Sequence, residues 1–377
     1  MRVIRFVVAL VIFGGAVHAQ PLDEALQRTI ASIPHPETVA DFQPLKHLSP
    51  LNQDTTLICW SFSTTSFLES EMERLGMEPV RLSVVYPVYY VFIEKAKRFI
   101  QTKGSSRFSP GDLFTGVLDI VREYGALPAS VYGNKEEGKQ VFNHNRLYGD
   151  LQKLMDRVRK ERLWNEKNVI PQVKRILNRY LGEPPTRFNW KGKSYTAQSF
   201  LRDVVRLPWN DYLMVTSFQY APFNAFVELK VPDNWRRNDE YVNVPLDEFY
   251  NSLKDAVQSG YSVAIDADIS EPSYERTKRY GIIPDFDIPF NAISQEGREF
   301  RFVTGATTDD HLMHIVDYRS FGEEDWFLVK DSWRTAWEAG SARGYMFFHG
   351  SYVKLKVLAY LVHKDGVPAI KKIVEEK

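Results

Sequence analysis

Helical and strand patterns occupy different parts of this chain, and their separation limits the fold more than any other feature. In several stretches between Cys59 and Gly260, apolar residues recur every three or four positions, which is typical of helices that bury one face. After Gly260, apolar and polar residues alternate, which is typical of strands. Helices followed by strands predict an α+β fold with an antiparallel sheet or barrel.

The same patterns give the expected elements. We expect helices at residues 59–75, 83–103, 110–124, 144–181 with a break near Pro171, 196–206 and 245–259. We expect strands at residues 261–269, 299–306, 311–318, 325–333, 344–350 and 353–363. An early helix then carries the cysteine and late strands carry histidines, so an active site between the two halves follows naturally.

The charges of the chain are balanced, with 48 Lys and Arg residues against 48 Asp and Glu residues. No net field therefore attracts the chain to nucleic acid or to an anionic membrane, and we expect no nucleic-acid partner. The sequence has no residue cluster with the spacing of metal ligands and no nucleotide-binding loop. We therefore expect neither a metal nor another cofactor.

Residues 1–19 have the three regions of a secretory signal peptide. Arg2 and Arg5 precede the apolar run FVVALVIFGGAV, and small residues around Ala19 fit cleavage after that position. An uncleaved amphipathic anchor is the alternative. Because no later stretch is apolar enough to span a membrane, we expect a periplasmic or secreted mature chain without stable membrane insertion after cleavage.

Cys59 is the only cysteine of the chain, so no disulfide can form within it. In an exported protein, a lone thiol is a liability unless it has a chemical role. A thiol becomes a good nucleophile when a helix N-terminus or a nearby imidazolium lowers its pKa, and Cys59 lies in the first turn of a predicted helix. A buried structural cysteine at a helix start fits this position equally well.

Gln53 and two histidines could act together with this thiol. Gln53 lies six residues before Cys59, and its amide could donate to an oxyanion alongside the Cys59 backbone N–H. His311 and His314 share one predicted strand and point to opposite faces, so at most one of them can face the cysteine. A glutamine in a loop and a histidine on a strand are each more often structural than catalytic.

Asp331 lies near the end of the next predicted strand and could accept a hydrogen bond from the Nδ1–H of the catalytic histidine. Such a bond fixes the tautomer of the ring and supports its protonated form. Trp333 and Trp337 would shield the bond from water, which strengthens it. A single aspartate among so many acidic residues says little by itself.

Taken together, three segments resemble the papain superfamily of cysteine peptidases. QDTTLICWSF, HLMHIVDY and WFLVKDSW are similar to its motifs Gln-x5-Cys-Trp-x-Phe, His-x6-Gly-Tyr and Trp-x-x-x-Asn-Ser-Trp. The resemblance implies that Cys59 is the nucleophile, Gln53 an oxyanion donor and Asp331 the residue that orients the base. Aligning the tyrosine that ends the second motif makes His311 that base and leaves His314 as an ordinary strand residue.

The resemblance extends to the bleomycin hydrolase and aminopeptidase C branch of the superfamily, over roughly residues 45–373. The segments RLSVVYPVYYVFIEKAKRF, FSPGDLFTGVLDIVREYGALPASVYG, YLGEPPTRFNW and SYTAQSFLRDVV carry it. It implies one papain-like domain, residues 20–377, with an α+β fold. Its parts would be a helical half that carries the cysteine (about 45–135), a helical insertion (about 136–245), a β-rich half that carries the histidine (about 246–363) and a C-terminal helix (366–377).

The activity that this resemblance implies is peptide-bond hydrolysis through an acyl-enzyme, with peptides or proteins as substrates and a homo-oligomer as a compatible state. In the branch, a C-terminal arm enters the cleft and its carboxylate holds the substrate amine. Here residues 357–377 match only the last strand and the helix that follows it. That match favours an open cleft and endopeptidase activity, with the aminopeptidase mode as the close alternative.

Three positions depart from the family motifs, since Asp331 replaces an asparagine and both Arg334 and Asp317 replace glycines. An aspartate can still accept from imidazole, and it raises the pKa of the ring more than an amide does. These departures keep two alternative functions open. The first is a catalytically impaired papain-fold protein that binds peptides, and the second is another Cys-His-Asp acyl transferase.

Overall fold

The structure is a computed structural model that describes residues 19–133, 143–338 and 340–376. The predicted signal peptide lies outside this part of the chain except at Ala19, so it stays a prediction. No helix within the described ranges combines the length and the apolar character that a membrane span requires.

Helices dominate the first half of the described chain, and shorter helices lie between the later strands. The helices are α1 (Ala19–Ala31), α2 (Cys59–Arg74), α3 (Val85–Gln101), α4 (Thr115–Tyr124), α5 (Asn145–Glu161), α6 (Glu166–Leu181), α7 (Ala197–Phe200), α8 (Leu246–Gln258), α9 (Pro272–Thr277), α10 (Gln295–Val303), α11 (Arg334–Glu338), α12 (Gly350–Lys356) and α13 (Pro368–Glu375). Leu201–Val205 continue α7 as a π-helical turn.

Most of the described strands form a single large sheet. The strands are β1 (Phe188–Trp190), β2 (Lys193–Tyr195), β3 (Tyr212–Thr216), β4 (Ala225–Val227), β5 (Tyr241–Asn243), β6 (Val263–Ala267), β7 (Tyr280–Gly281), β8 (His311–Phe321), β9 (Glu324–Lys330), β10 (Tyr345–His349) and β11 (Val357–His363). β1 and β2 pair as a hairpin, and the other nine join in the order β4-β5-β3-β11-β6-β8-β9-β10-β7. Pairing is antiparallel except between β3 and β5 and between β7 and β10. The predicted α+β fold is confirmed.

Alternate residues of β8 enter different apolar cores, as the two-residue repeat of a strand requires. Leu312 packs into the core that the helices of the first half share, and Met313 packs into a second core beneath α8 and α12. The sheet therefore has a helical layer on each face, and β8 is buried between the two layers.

α2 brings the cysteine to the sheet, and almost all of its side chains are buried. Small hydroxyl residues let this helix approach β8 closely. Ser63 Oγ donates to the Met313 carbonyl at 2.6 Å, and Ser66 Oγ contacts His314 Nδ1 at 2.9 Å. These bonds set the position of α2 along β8, and therefore the position of Cys59 relative to the start of that strand.

Two predicted helices have different limits from those expected. The break near Pro171 is wrong, because the chain instead turns at Arg162, which has a left-handed φ of 55°. Asn165 then caps α6 by accepting from the Lys167 amide at 3.0 Å, and Pro171 lies inside that helix. The helix expected from residue 110 begins only at Thr115.

The segment before Thr115 is held extended by side chains from two helices. Trp60 Nε1 donates to the Pro110 carbonyl at 3.0 Å, and Lys95 Nζ donates to the Gly111 carbonyl. Because these carbonyls accept hydrogen bonds from side chains, residues 110–112 stay outside the helix and line a cleft.

The strand expected at residues 299–306 is also wrong, since α10 covers most of it. Ser294 caps α10 by accepting from the Gly297 amide at 3.2 Å, and the buried Arg298 guanidinium donates to carbonyls of the main sheet region, including that of Leu358. The last predicted strand is shorter than expected, because Lys356 and the residues before it belong to α12. In the insertion, β3, β4 and β5 extend the main sheet through the pairing of β3 with β11.

Candidate active site

Cys59 is the first residue of α2 and lies in a cleft between the helical layer and the sheet. The cleft has a volume of about 560 Å³. Its walls come from the segments 53–59, 107–112, 269–275 and 309–312, together with Asp233 and Trp333. The helix start, the strand start and an insertion loop therefore meet around the thiol.

His311 is the first residue of β8, and Asp331 follows the last residue of the adjacent strand β9. Both side chains are buried, and His311 Nε2 donates to Asp331 Oδ1 at 2.8 Å. The expected bond therefore forms through Nε2, and not through Nδ1 as the sequence suggested. This arrangement leaves Nδ1 for Cys59, with which the His311 side chain also hydrogen-bonds.

The charge environment of His311 favours the protonated ring. Burial lowers the pKa of His311, but the charges of Asp331 and Cys59, with a hydrogen bond from the ring to each, outweigh it and raise the pKa to about 10. An imidazolium between a thiolate and a carboxylate is the state that a cysteine nucleophile needs. The indole of Trp333 lies edge-on with its centre 6.0 Å from that of the ring, whereas Trp337 packs beside Gly344.

Asp331 has a donor on each of its oxygens. Besides His311, the backbone amide of Trp333 donates to Oδ1 at 2.8 Å, and the Tyr274 hydroxyl donates to Oδ2 at 2.5 Å. Burial, and then the charge of Asp331, raise the pKa of Tyr274 well above its ordinary value, so this hydroxyl stays protonated. Sequence reasoning missed Tyr274, because no motif connects a residue of α9 to the strand end.

Gln53 is buried beside Cys59 and held at both ends of its amide. Its Oε1 accepts from Ser332 Oγ at 2.6 Å, and its Nε2 donates to the Thr56 carbonyl at 2.9 Å. Since an amide nitrogen carries two hydrogens, one remains for an oxyanion beside the thiol. The Cys59 amide, at a helix start without an intrahelical partner, is the natural second donor.

The other histidines of the β-rich half lie away from the thiol. His314 faces α2, where Ser66 contacts its Nδ1, and burial followed by the charge of Lys330 lowers the pKa of His314 well below its ordinary value. His349 ends β10 and donates through Nε2 to Glu324 at 2.8 Å. The structure thus brings His311 to Cys59 and keeps His314 on the opposite side of its strand.

The two glycine replacements lie outside the walls of the cleft. Arg334 is exposed at the start of α11 and pairs with Glu338, with 3.3 Å between Nε and Oε1. Asp317 lies next to a bulge between β8 and β9 and accepts from the Gln43 amide at 2.6 Å. Arg334 thus pairs within its own helix, Asp317 ties the segment at Gln43 to the sheet, and the contacts among Cys59, His311 and Asp331 stay in place.

Comparison with known proteins shows the family of the chain. The model of the peptidase C1-like family matches residues 11–377. The chain belongs to that family. It is therefore a papain-like cysteine peptidase, as the sequence motifs predicted.

Among solved structures, the peptidase is similar to PepW from Lactobacillus rhamnosis. The two share 18% identity at a TM-score of 0.69, and the match covers 96% of this chain and 92% of that chain. At this identity, the likeness shows a shared fold. No curated protein matches the sequence.

Proposed function

We propose that this peptidase hydrolyses peptide bonds through a triad of Cys59, His311 and Asp331 and an acyl-enzyme intermediate. The observation that supports the triad is the position of His311, whose ring bonds Asp331 through Nε2 and hydrogen-bonds Cys59 as well. A thiol that has given its proton to such a ring attacks carbonyl carbon without further activation.

In the first half of the reaction, Cys59 Sγ bonds to the scissile carbonyl carbon and the carbonyl oxygen becomes an oxyanion. The free hydrogen of Gln53 Nε2 and the Cys59 amide donate to that oxygen. His311 passes its proton to the departing amine nitrogen, the C–N bond breaks, and a thioester remains on Cys59. In the second half, His311 takes a proton from water, the hydroxide displaces Sγ, and the carboxylic product leaves with the thiol restored.

For the mode of cleavage, we propose aminopeptidase activity, as in the bleomycin hydrolase branch that the motifs resemble. The loop at Asp233 crosses the cleft, since its side chain lies against Gly111 and its backbone amide donates to Asp309 on the opposite wall. A crossing so near the nucleophile supports a short binding site on one side of the scissile bond. The sequence alone favoured endopeptidase activity, and that mode is the alternative.

The nucleophile is tested by labelling the purified protein with a thiol-directed epoxide and measuring peptide hydrolysis. We expect stoichiometric labelling of the wild type and complete loss of both labelling and hydrolysis in Cys59→Ala, because the chain has no second thiol. Peptide binding without hydrolysis in the wild type would instead support the catalytically impaired alternative. Acyl transfer to amines without peptide cleavage would support the transferase.

The mode of cleavage is tested with an N-acetylated peptide and the same peptide with a free N-terminus. Stepwise release of single N-terminal residues from the free peptide, with refusal of the acetylated one, is the aminopeptidase result. Internal cleavage of the acetylated peptide would establish the endopeptidase alternative. Mass spectrometry of the products distinguishes the two outcomes directly.

We also propose that the peptidase is exported and acts on peptides in the periplasm or outside the cell. The basic, apolar and small-residue regions of residues 1–19 support an export signal. N-terminal sequencing of the protein recovered from each cell fraction tests this proposal, and a mature N-terminus at Gln20 is the expected result. Recovery of the intact chain from the cytoplasm would contradict it.

A further inference from the structure

The cleft around Cys59 is acidic, although the whole chain carries equal numbers of positive and negative residues. Its acidic wall residues are Asp112, Asp233, Glu275, Asp309 and Asp310, against the basic residues Arg107 and His311. Asp112 is already bonded, since it accepts from Trp235 Nε1 at 3.0 Å and from Arg236 at 2.7 Å. A concave surface lined by one sign of charge concentrates ligands of the opposite sign.

Beneath this wall, the carboxyl groups of Asp266 and Asp309 share a hydrogen bond. Asp266 is fully buried on β6. Its carboxyl group hydrogen-bonds that of Asp309, which lines the cleft and also accepts from the Asp233 backbone amide. Two buried carboxylates in contact are costly unless a proton or a cation lies between them.

The strand register directs Asp266 towards the cleft. Asp266 lies directly opposite Leu312 in the antiparallel pairing of β6 with β8. Residues opposite one another in such a pair project from the same face of the sheet, and Leu312 lines the cleft. Asp266 therefore lies on the same face of the sheet as the cleft, behind Asp309 and without exposed surface.

Asp233 adds a third carboxylate from the loop between β4 and β5. An ideal Cβ on Gly111 would lie 1.8 Å from Asp233 Oδ2, so only glycine leaves room for this carboxylate. Its side chain is 18% exposed, and the nearest cationic atom paired with it, Arg107 Nε, is 3.7 Å from Oδ1. Because its backbone amide also donates to Asp309, the loop holds the third carboxylate beside the other two.

Burial and the neighbouring carboxylates keep this group from carrying its full charge in the free protein. Burial, and then the charge of Asp309, raise the pKa of Asp266 well above its ordinary value. Burial, and then the charge of Asp233, raise the pKa of Asp309 to about 7. An arriving cation can therefore take the place of a proton that the free site holds.

We propose that Asp233 and Asp309, supported from behind by Asp266, form a carboxylate site that binds a cationic nitrogen group of the substrate next to the catalytic thiol. The inference rests on the proposed peptidase function, because it names the substrate group that this cleft selects. An α-ammonium group and a lysine or arginine side chain supply the same chemistry. The loop that crosses the cleft at Asp233 favours the α-ammonium group, since it leaves little room for chain beyond it.

The test uses four fluorogenic peptide amides that combine a free or acetylated N-terminus with a lysine or a norleucine next to the scissile residue. We expect kcat/KM for a cationic substrate to exceed that of the acetylated norleucine peptide by about tenfold or more, as for other charge-assisted contacts. If a free N-terminus raises kcat/KM in both the lysine and the norleucine peptide, the α-ammonium group is the one that binds. If lysine raises kcat/KM in both the acetylated and the free peptide, the lysine side chain is the group that binds.

Asp309→Asn is the main variant, because Asp309 is only partly buried and its replacement keeps the shape of the side chain. It should bring the ratio of kcat/KM for the cationic peptide to kcat/KM for the neutral peptide close to one, with Asp266→Asn as a second variant. Glu323→Gln, at an exposed turn between β8 and β9, makes the same change of charge away from the cleft and serves as the control. Circular dichroism checks that each variant is folded.

Binding of the same peptides to the Cys59→Ala variant, measured by calorimetry, separates this inference from the proposed function. Hydrolysis by the wild type without any preference for a cationic peptide would overturn the inference and leave the peptidase function standing. Tighter binding of the cationic peptide without any hydrolysis would support the site and overturn the function. If Asp309→Asn lowers kcat/KM equally for cationic and neutral peptides, these carboxylates only support the fold.

Discussion

The Tyr274 hydroxyl donates to Asp331 Oδ2 at 2.5 Å, and His311 Nε2 donates to Asp331 Oδ1 at 2.8 Å. This relationship explains how the site accommodates an aspartate where related motifs have asparagine. A hydroxyl can donate to a carboxylate oxygen, and the same hydroxyl could accept from an asparagine amide. In both cases the oxygen that faces His311 and the Trp333 amide stays an acceptor.

Replacing Tyr274 with phenylalanine should weaken both the fold and the triad. The buried Asp331 carboxylate would lose a donor, which costs about 1.5–3 kcal/mol of unfolding free energy for a hydrogen bond to a charged group. We expect kcat to fall more than KM rises, because the carboxylate that orients His311 is then less firmly held. Denaturant unfolding and steady-state kinetics measure the two effects.

Tyr360→Phe is the matched control for that change. Tyr360 is also fully buried, but its hydroxyl has no hydrogen-bond partner within the described chain. Its removal should leave kcat unchanged and the unfolding free energy unchanged or slightly higher. Equal effects of the two substitutions on kcat would contradict a specific role for Tyr274.

Asp331→Asn should keep substantial activity and shift the alkaline limb of the pH profile downwards. The pKa of His311 is raised from its ordinary value of 6.5 to about 10, so the imidazolium persists until the pH rises through that value. An amide cannot supply the charge of Asp331, and the ring of the variant should lose its proton at a lower pH. Profiles of kcat/KM against pH for both proteins measure the shift, and coincident alkaline limbs would contradict the contact.

The same shift in the pKa of His311 makes the stability of the fold depend on pH. Because the folded-state pKa of His311 lies above the ordinary value, its contribution to stability is complete below about pH 6.5 and is lost as the pH rises through about 10. Unfolding experiments between these limits should show a smaller loss of stability in Asp331→Asn than in the wild type.

Exchanging the two histidines of β8 for alanine should separate catalysis from stability. His311→Ala removes the base and the imidazolium together, and we expect kcat/KM to fall by about a thousandfold or more. His314→Ala leaves Ser66 without its ring partner, which should cost about 1–3 kcal/mol of unfolding free energy and little activity. Similar activity losses in two folded variants would show that His311 is not the base.

The sequence was sufficient for the parts of the site that depend on local spacing. Cys59 at a helix start, His311 at a strand start and Asp331 at the end of the neighbouring strand follow from patterns along the chain. The structure places Cys59 and His311 in one cleft and bonds Asp331 to His311. The atoms that meet do not follow from spacing, since the bond to Asp331 uses Nε2 and not the expected Nδ1.

Contacts between segments distant in sequence could not be predicted in this way. Tyr274 reaches Asp331 from α9, and Asp233 reaches Gly111 from an insertion loop, and no periodicity encodes either approach. The strand expected at residues 299–306 failed for a related reason. The cap at Ser294 and the buried Arg298, whose partners lie on other segments, favour a helix over the apparent alternation.

Gln53 should contribute to hydrolysis without affecting the reactivity of the thiol towards alkylation. Hydrolysis passes through an oxyanion, and removing one donor of an oxyanion hole costs about a hundredfold to a thousandfold in kcat. Alkylation by iodoacetamide forms no oxyanion, so Gln53→Ala should react at nearly the wild-type rate. Ser332→Ala, which removes the donor to Gln53 Oε1 but leaves Nε2 in place, should cause a smaller loss of kcat. If Gln53→Ala slows alkylation as much as hydrolysis, Gln53 positions Cys59 and does not bind the oxyanion.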